Sequence, residues 1–131
     1  MSKSKFYMVK SAPEPVAPFS HAVENDGWVY LTGQMPTDPD DNCKPLPLDI
    51  KLQTTRVMDN LTLVLKGIKL DLENVISVRV FLTDFNRDYQ AMNKIYAKYF
   101  NSDRFPARTC IGVTALACGA LVEIDMVARR P

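Results

Sequence analysis

The chain has 131 residues, 47% hydrophobic and 24% charged, and sixteen Lys+Arg against fifteen Asp+Glu leave a formal net charge of +1. That length is expected to fold as a single domain over residues 1–131, because halves of it are too short to bury a useful core. The balanced charge lacks the field of a polynucleotide binder, and no stretch approaches the ~20 apolar residues of a membrane span, so neither nucleic acid nor membrane is the expected partner.

The N-terminal ten residues carry lysines without the apolar run of a signal peptide, and the expected location is cytoplasmic. From Pro13 to Pro18 the prolines fix φ and hold their predecessors extended. Ala22-Val23 and Trp28-Val-Tyr-Leu-Thr32, joined by the turn signal Asn25-Asp-Gly27, predict a hairpin, with Gly33 ending its second strand. Four prolines and several acidic residues between Met35 and Asp49 predict a surface loop.

Asp49 is a plausible N-cap for a helix reaching about Leu70, since Ile50, Val57, Met58, Leu61, Val64, Leu65 and Ile68 recur at steps of three and four. Val75–Leu82 predicts a strand. A second helix is expected from about Arg87 to Phe100, with Asn86 as cap and Pro106 beyond its end. Ala107–Thr114 and Ala120–Ala128 predict two last strands joined by a short loop containing Gly119. The order β-β-α-β-α-β-β implies an α+β fold: a mixed sheet, parallel across the strand–helix–strand crossover and antiparallel in the hairpins, with both helices on one face.

The other face carries a mixture. Side chains alternate along a strand, so Leu121, Glu123, Asp125 and Val127 share one side of the last strand. Such a surface is too apolar for open water and too charged for a core, and is expected to meet a copy of itself in an oligomer with sites between subunits.

Arg108, at the start of a strand, offers the planar fork that grips a carboxylate through two parallel bonds, although a surface arginine or a structural ion pair fits the same position. Glu123 sits in an otherwise apolar strand. Partly buried, its carboxyl would titrate nearer neutrality and suit it to orient or deprotonate a water; the alternative is a rim residue paired with a lysine. Cys110 as a nucleophile would need a neighbouring base, and His21 is the only histidine, so a small buried residue is the expected role. Three scattered cysteines and one histidine give no metal-ligand spacing, and phosphate-binding glycine patterns are missing. The sequon Asn60-Leu-Thr62 falls in a predicted helix and carries no glycosylation reading.

Several segments together resemble the RidA/YjgF family of enamine/imine deaminases, also known by the name endoribonuclease L-PSP. They are Ala17-Pro-Phe-Ser-His-Ala-Val23, Thr32-Gly-Gln-Met-Pro36, Asn74-Val-Ile-Ser-Val-Arg-Val-Phe81, Met92-Asn93 with Tyr96, Phe105-Pro-Ala-Arg-Thr-Cys110, and Val122-Glu-Ile-Asp125. The likeness implies a chorismate-mutase-like fold assembled as a barrel-like homotrimer with intersubunit sites. It implies hydrolysis of 2-aminoacrylate and other 2-imino acids to 2-oxo acids and ammonia, without a cofactor. Carried over, Arg108 clamps the substrate carboxylate and Glu123 positions the attacking water. Cys110 contributes through its backbone, Thr32, Gly33 and Asn93 line the pocket, and Phe19 packs on the bound acid. This chain departs from the family with Phe19 for a usual Tyr, Thr32 for a frequent Ser, and His21 where Gln is common, the last a candidate polar contributor. Two other functions remain open at this point: cleavage of single-stranded RNA with inhibition of translation, and a non-catalytic trimer that holds small carboxylates.

Overall fold

A computed structural model describes residues 3–131. Along the chain run β1 (Lys5–Tyr7), β2 (Ala22–Asn25), β3 (Trp28–Gln34), α1 (Ile50–Gly67), β4 (Val75–Leu82), α2 (Phe85–Ala97), β5 (Ala107–Gly112) and β6 (Val122–Arg129). The strands form one sheet in the order β1-β2-β3-β6-β4-β5. Among the described residues only β4 and β5, the pair linked by the α2 crossover, run parallel. The α+β class, the mixed sheet and the two helices are as expected. Within one chain the sheet stays open, with β1 and β5 at its edges.

The β2–β3 hairpin turns through Asp26 and Gly27, both at positive φ (54° and 82°), the conformation a two-residue hairpin loop needs and a glycine adopts at no steric cost. Asp49 caps α1 by accepting from the Lys51 amide at 2.6 Å. Beneath the helices lie the inward residues of the central strands, among them Val29, Leu31, Val78, Val80, Ile124 and Met126, packed on Met58, Leu61 and Leu65 of α1 and Met92 of α2. Burial of this kind contributes roughly 25 cal/mol per Å² of apolar surface and dominates the stability.

Four expectations need correction. An additional strand, β1, precedes the hairpin and pairs with β2, so the order is β-β-β-α-β-α-β-β. Its three residues lack a readable alternation, and pairing creates the strand. Next, β5 and β6 are not a hairpin, because β4 lies between them. The connecting segment crosses the end of β4, with Val113 N–H donating to Leu82 O and Thr83 N–H to Leu121 O. Asp84, not Asn86, caps α2, and α2 ends at Ala97 instead of Phe100. Its last amides bond three residues back, from Lys98 to Ile95 and from Tyr99 to Tyr96, which tightens the final turn. The second hairpin strand also continues through Gly33 to Gln34.

His21 is buried and engaged on both ring nitrogens. Nδ1 accepts from the Val9 amide at 2.8 Å and Nε2 donates to Pro13 O at 2.7 Å, which assigns the neutral Nε2–H tautomer. It ties the N-terminal segment to the proline-rich approach, and both of its ring nitrogens are spent there. Asn60 is equally internal: its amide donates to Met35 O and Thr37 O and pins the loop after β3, which withdraws the sequon from solvent.

The face away from the helices is mixed, as its alternation predicts. Strand register lines up Phe6, Val23, Tyr30 and Val127 across four strands, with Phe6 70% and Tyr30 54% exposed. Beside this apolar row Arg79 grips Asp125 through two bonds at 3.0 and 2.6 Å. Among the described residues no helix is long and apolar enough to cross a membrane.

Candidate functional site

The site residues named from the sequence fall into two groups. Arg108 is the second residue of β5, an edge strand, and projects toward α2. Register sets it opposite Val78 of β4, and Cys110 opposite Val80, so both share the helix-covered face. Their helical wall comes from one stripe of α2: Tyr89, Asn93 and Tyr96 follow at steps of four and three and therefore lie above one another. Asn93, Tyr96, Ala97, Phe105, Pro106 and Arg108 line a recess of about 260 Å³. Among the described residues Arg108 makes no ion pair, and its one side-chain hydrogen bond is a long one, 3.5 Å, from Nη2 to the Tyr89 hydroxyl. The Asn93 Oδ1 is buried without a donor among the described residues. Burial raises the Cys110 thiol pKa above its ordinary value, against the lowering effect of the Arg108 charge, which keeps the thiol protonated and poorly nucleophilic.

Glu123, Gly33, Thr32 and Phe19 form the second group. The β3–β6 register shifts between Leu31 and Gln34, and this irregularity lets Glu123 lie against Gly33. A Cβ at position 33 would overlap Glu123 Oε2 and stand 3.1 Å from Cδ, so a glycine is needed for the carboxylate to lie where it does. Thr32 is fixed by its hydroxyl, which donates to Ser20 O at 2.6 Å, and by its amide, which donates to His21 O. Phe19 shares a shallow recess with Gly33 and Gln34. Glu123 has neither an ion-pair nor a hydrogen-bond partner among the described residues. Burial, reinforced by the charge of Asp125, raises its carboxyl pKa above the ordinary glutamate range.

Within one chain the two groups do not meet. Arg108 is level with Val78, and Val78 with Met126 of β6, all three pointing toward the helices; Glu123 is three residues from Met126 and so points the other way. Two strand spacings and three residues put their backbones about 14 Å apart, with the sheet between the side chains. The tyrosines around Arg108 were not among the residues singled out for the site; the Tyr89–Asn93–Tyr96 spacing was the signal that could have found them.

An open mixed sheet backed by two helices, with unpaired chemical groups on both faces, is a chain fold of the chorismate-mutase-like α+β class. Residues 9–130 match the family model described as Endoribonuclease L-PSP. The chain is 37% identical over 127 residues to a RutC family protein of Synechocystis, covering 97% of each sequence. It superposes on YyfA, a protein of the conserved Rid family from Yersinia pestis, with a TM-score of 0.90 at 35% identity, covering 97% of this chain and 99% of that one. E. coli TdcF with bound serine matches at a TM-score of 0.88 and 26% identity, covering 97% and 99%. The chain belongs to the RidA/YjgF family.

Proposed function

We propose that this protein is a hydrolytic deaminase of 2-imino acids, acting as a homotrimer whose sites combine the Arg108 group of one subunit with the Glu123 group of the next. The observation that carries the reading is the pair of unsatisfied opposite charges: a guanidinium without a carboxylate in a lined recess, and a half-buried carboxylate without a cation. Each is costly to leave so, and each is complementary to the other's missing partner or to a small zwitterionic ligand. The serine bound to TdcF is a ligand of that chemistry in a protein of the same fold.

In this mechanism Arg108 binds the substrate carboxylate through its two-pronged fork, and Asn93 Oδ1 supplies an acceptor beside it. Glu123 takes a proton from water as the oxygen adds to the imine carbon. It returns that proton to nitrogen and then takes the remaining hydroxyl proton as the carbonyl forms and the C–N bond breaks; that last proton leaves with the ammonia as ammonium, and a 2-oxo acid remains. The protonated imine is already electrophilic, so holding the carboxylate and aiming the water supplies most of the rate. Thr32, Gly33 and Phe19 shape the wall behind Glu123, and the Cys110 contribution is its backbone.

The test is release of ammonia and pyruvate from freshly generated 2-aminoacrylate by wild type, Arg108→Ala and Arg108→Lys. Both variants lose about 100-fold or more in kcat/KM, because lysine keeps the charge and loses the fork. Wild-type protein without turnover overturns the reading. Ribonuclease activity has less to stand on, since the single histidine is buried and bonded at both nitrogens. Cleavage of single-stranded RNA that persists in Arg108→Ala, with no deamination in wild type, would reverse that preference. A trimer that binds pyruvate but never turns over imines would be a receptor.

A further inference from the structure

We propose that Tyr96 and Tyr89 are positioning residues for Arg108, holding its guanidinium between aromatic faces so that most of its N–H donors stay free for a carboxylate. The inference rests on the assignment of Arg108 to the substrate carboxylate and goes on to say how the chain aims that group.

Arg108 Cζ lies 4.9 Å from the centre of the Tyr96 ring and 5.9 Å from that of Tyr89. The two rings stand seven residues apart on α2, two helical turns, and so bracket the side chain that rises from β5 between them. Tyr89 is itself braced by stacking on Phe85, ring centres 4.6 Å apart at an interplanar angle of 22°. Tyr96 is 4% exposed and belongs to the core cluster, so its ring has no freedom to leave the guanidinium.

The choice of aromatic groups has a chemical reason. A structural carboxylate would also orient an arginine, but it would occupy the fork and cancel the charge that the substrate needs. An aromatic face attracts the cation through its quadrupole and consumes no N–H, and the only donor engaged here among the described residues is Nη2, in its long bond to the Tyr89 hydroxyl. The contrast lies in the same sheet: Arg79 is held by both oxygens of Asp125 and has its fork closed. Among the described residues the buried hydroxyl of Tyr96 has no partner, so the ring and not the phenol is the working part. Burial pushes that phenol up to about 12, opposed by Arg108, so the ring stays neutral through the working pH range.

The experiment measures KM and kcat for 2-aminoacrylate hydrolysis in the assembled protein, together with the ¹⁵N resonance of the Arg108 Nε–H, assigned by its loss in Arg108→Lys. Tyr96→Leu raises KM about tenfold with kcat nearly unchanged, and Tyr89→Leu raises it about threefold. Tyr96→Phe, which keeps the face and drops the hydroxyl, stays within about twofold of wild type. The Arg108 resonance stays sharp in wild type and Tyr96→Phe and broadens by solvent exchange in Tyr96→Leu. Wild-type KM and an unchanged resonance in folded Tyr96→Leu overturn the proposal; should that variant lose its fold, the same two readings in Tyr89→Leu decide. The resonance decides even in a protein that turns over no imine, which separates failure of this proposal from failure of the deaminase reading.

Discussion

Co-assembly of two inactive variants tests the division of the site between subunits. Arg108→Ala removes the proposed carboxylate clamp, and Glu123→Ala removes the group proposed to handle the water. The register β5–β4–β6 puts these two positions about 14 Å apart with opposite side-chain directions, so no rotamer change within a chain brings them together. In the proposed trimer each site therefore draws Arg108 from one subunit and Glu123 from a neighbour. When the two variants are unfolded together and refolded at 1:1, a site is intact only where an Arg108-bearing subunit faces a Glu123-bearing one in the right order. Each condition holds half the time, which leaves about one site in four competent. The mixture should recover about 25% of wild-type turnover in the aminoacrylate assay, from two preparations that are each about 100-fold depressed or worse. Native mass spectrometry, with one variant carrying a mass tag, verifies that mixed trimers formed. Mixed trimers as inactive as their parents would refute the reasoning, and so would particles with the mass of one chain.

Gly33→Ala places a methyl where Glu123 Oε2 lies and forces the carboxylate aside. Turnover falls about 100-fold while the thermal midpoint barely moves, since the displaced group is the end of a flexible side chain; wild-type kcat in this variant would discount the aimed-water step. The raised Glu123 pKa makes kcat/KM fall on acidification at a pH above that of an ordinary glutamate, because the carboxylate is the working form and is lost as pH drops through that value. Asp125→Asn removes the secondary raising charge and moves this acid limb to lower pH, which a pH–rate profile reads directly. His21→Ala strands the Val9 amide and Pro13 carbonyl in a buried place and costs about 3 kcal/mol in urea denaturation, with little change in the KM of protein that remains folded. An intact midpoint in that variant would mean that the proline-rich segment is not held by the histidine.

Much of this protein is written locally. The steps of three and four from Val57 to Leu65, the Asp49 cap and the Asn25-Asp-Gly27 turn each name their element, because helix period, capping and positive φ are properties of a few neighbouring residues. Alternation along Val122–Arg129 likewise separated Glu123 and Asp125 from the buried Val122, Ile124 and Met126. The motifs Phe105-Pro-Ala-Arg108 and Val122-Glu123 marked both halves of the candidate site for the same reason: they are contiguous.

The tertiary structure alone decided what lies beside what. The three residues of β1 are a strand only because β2 offers its edge, and β6 left its sequence neighbour β5 to pair with β3 and β4, a choice made by sheet-wide packing. The two site groups fall on opposite faces because β4 and β6 are antiparallel at one particular register, and a shift of one residue would have reversed it. Gly33 is beside Glu123 through a register irregularity, and Arg108 is between two tyrosines through a crossover helix. Local sequence sets the period and direction of side chains; long-range register sets their company.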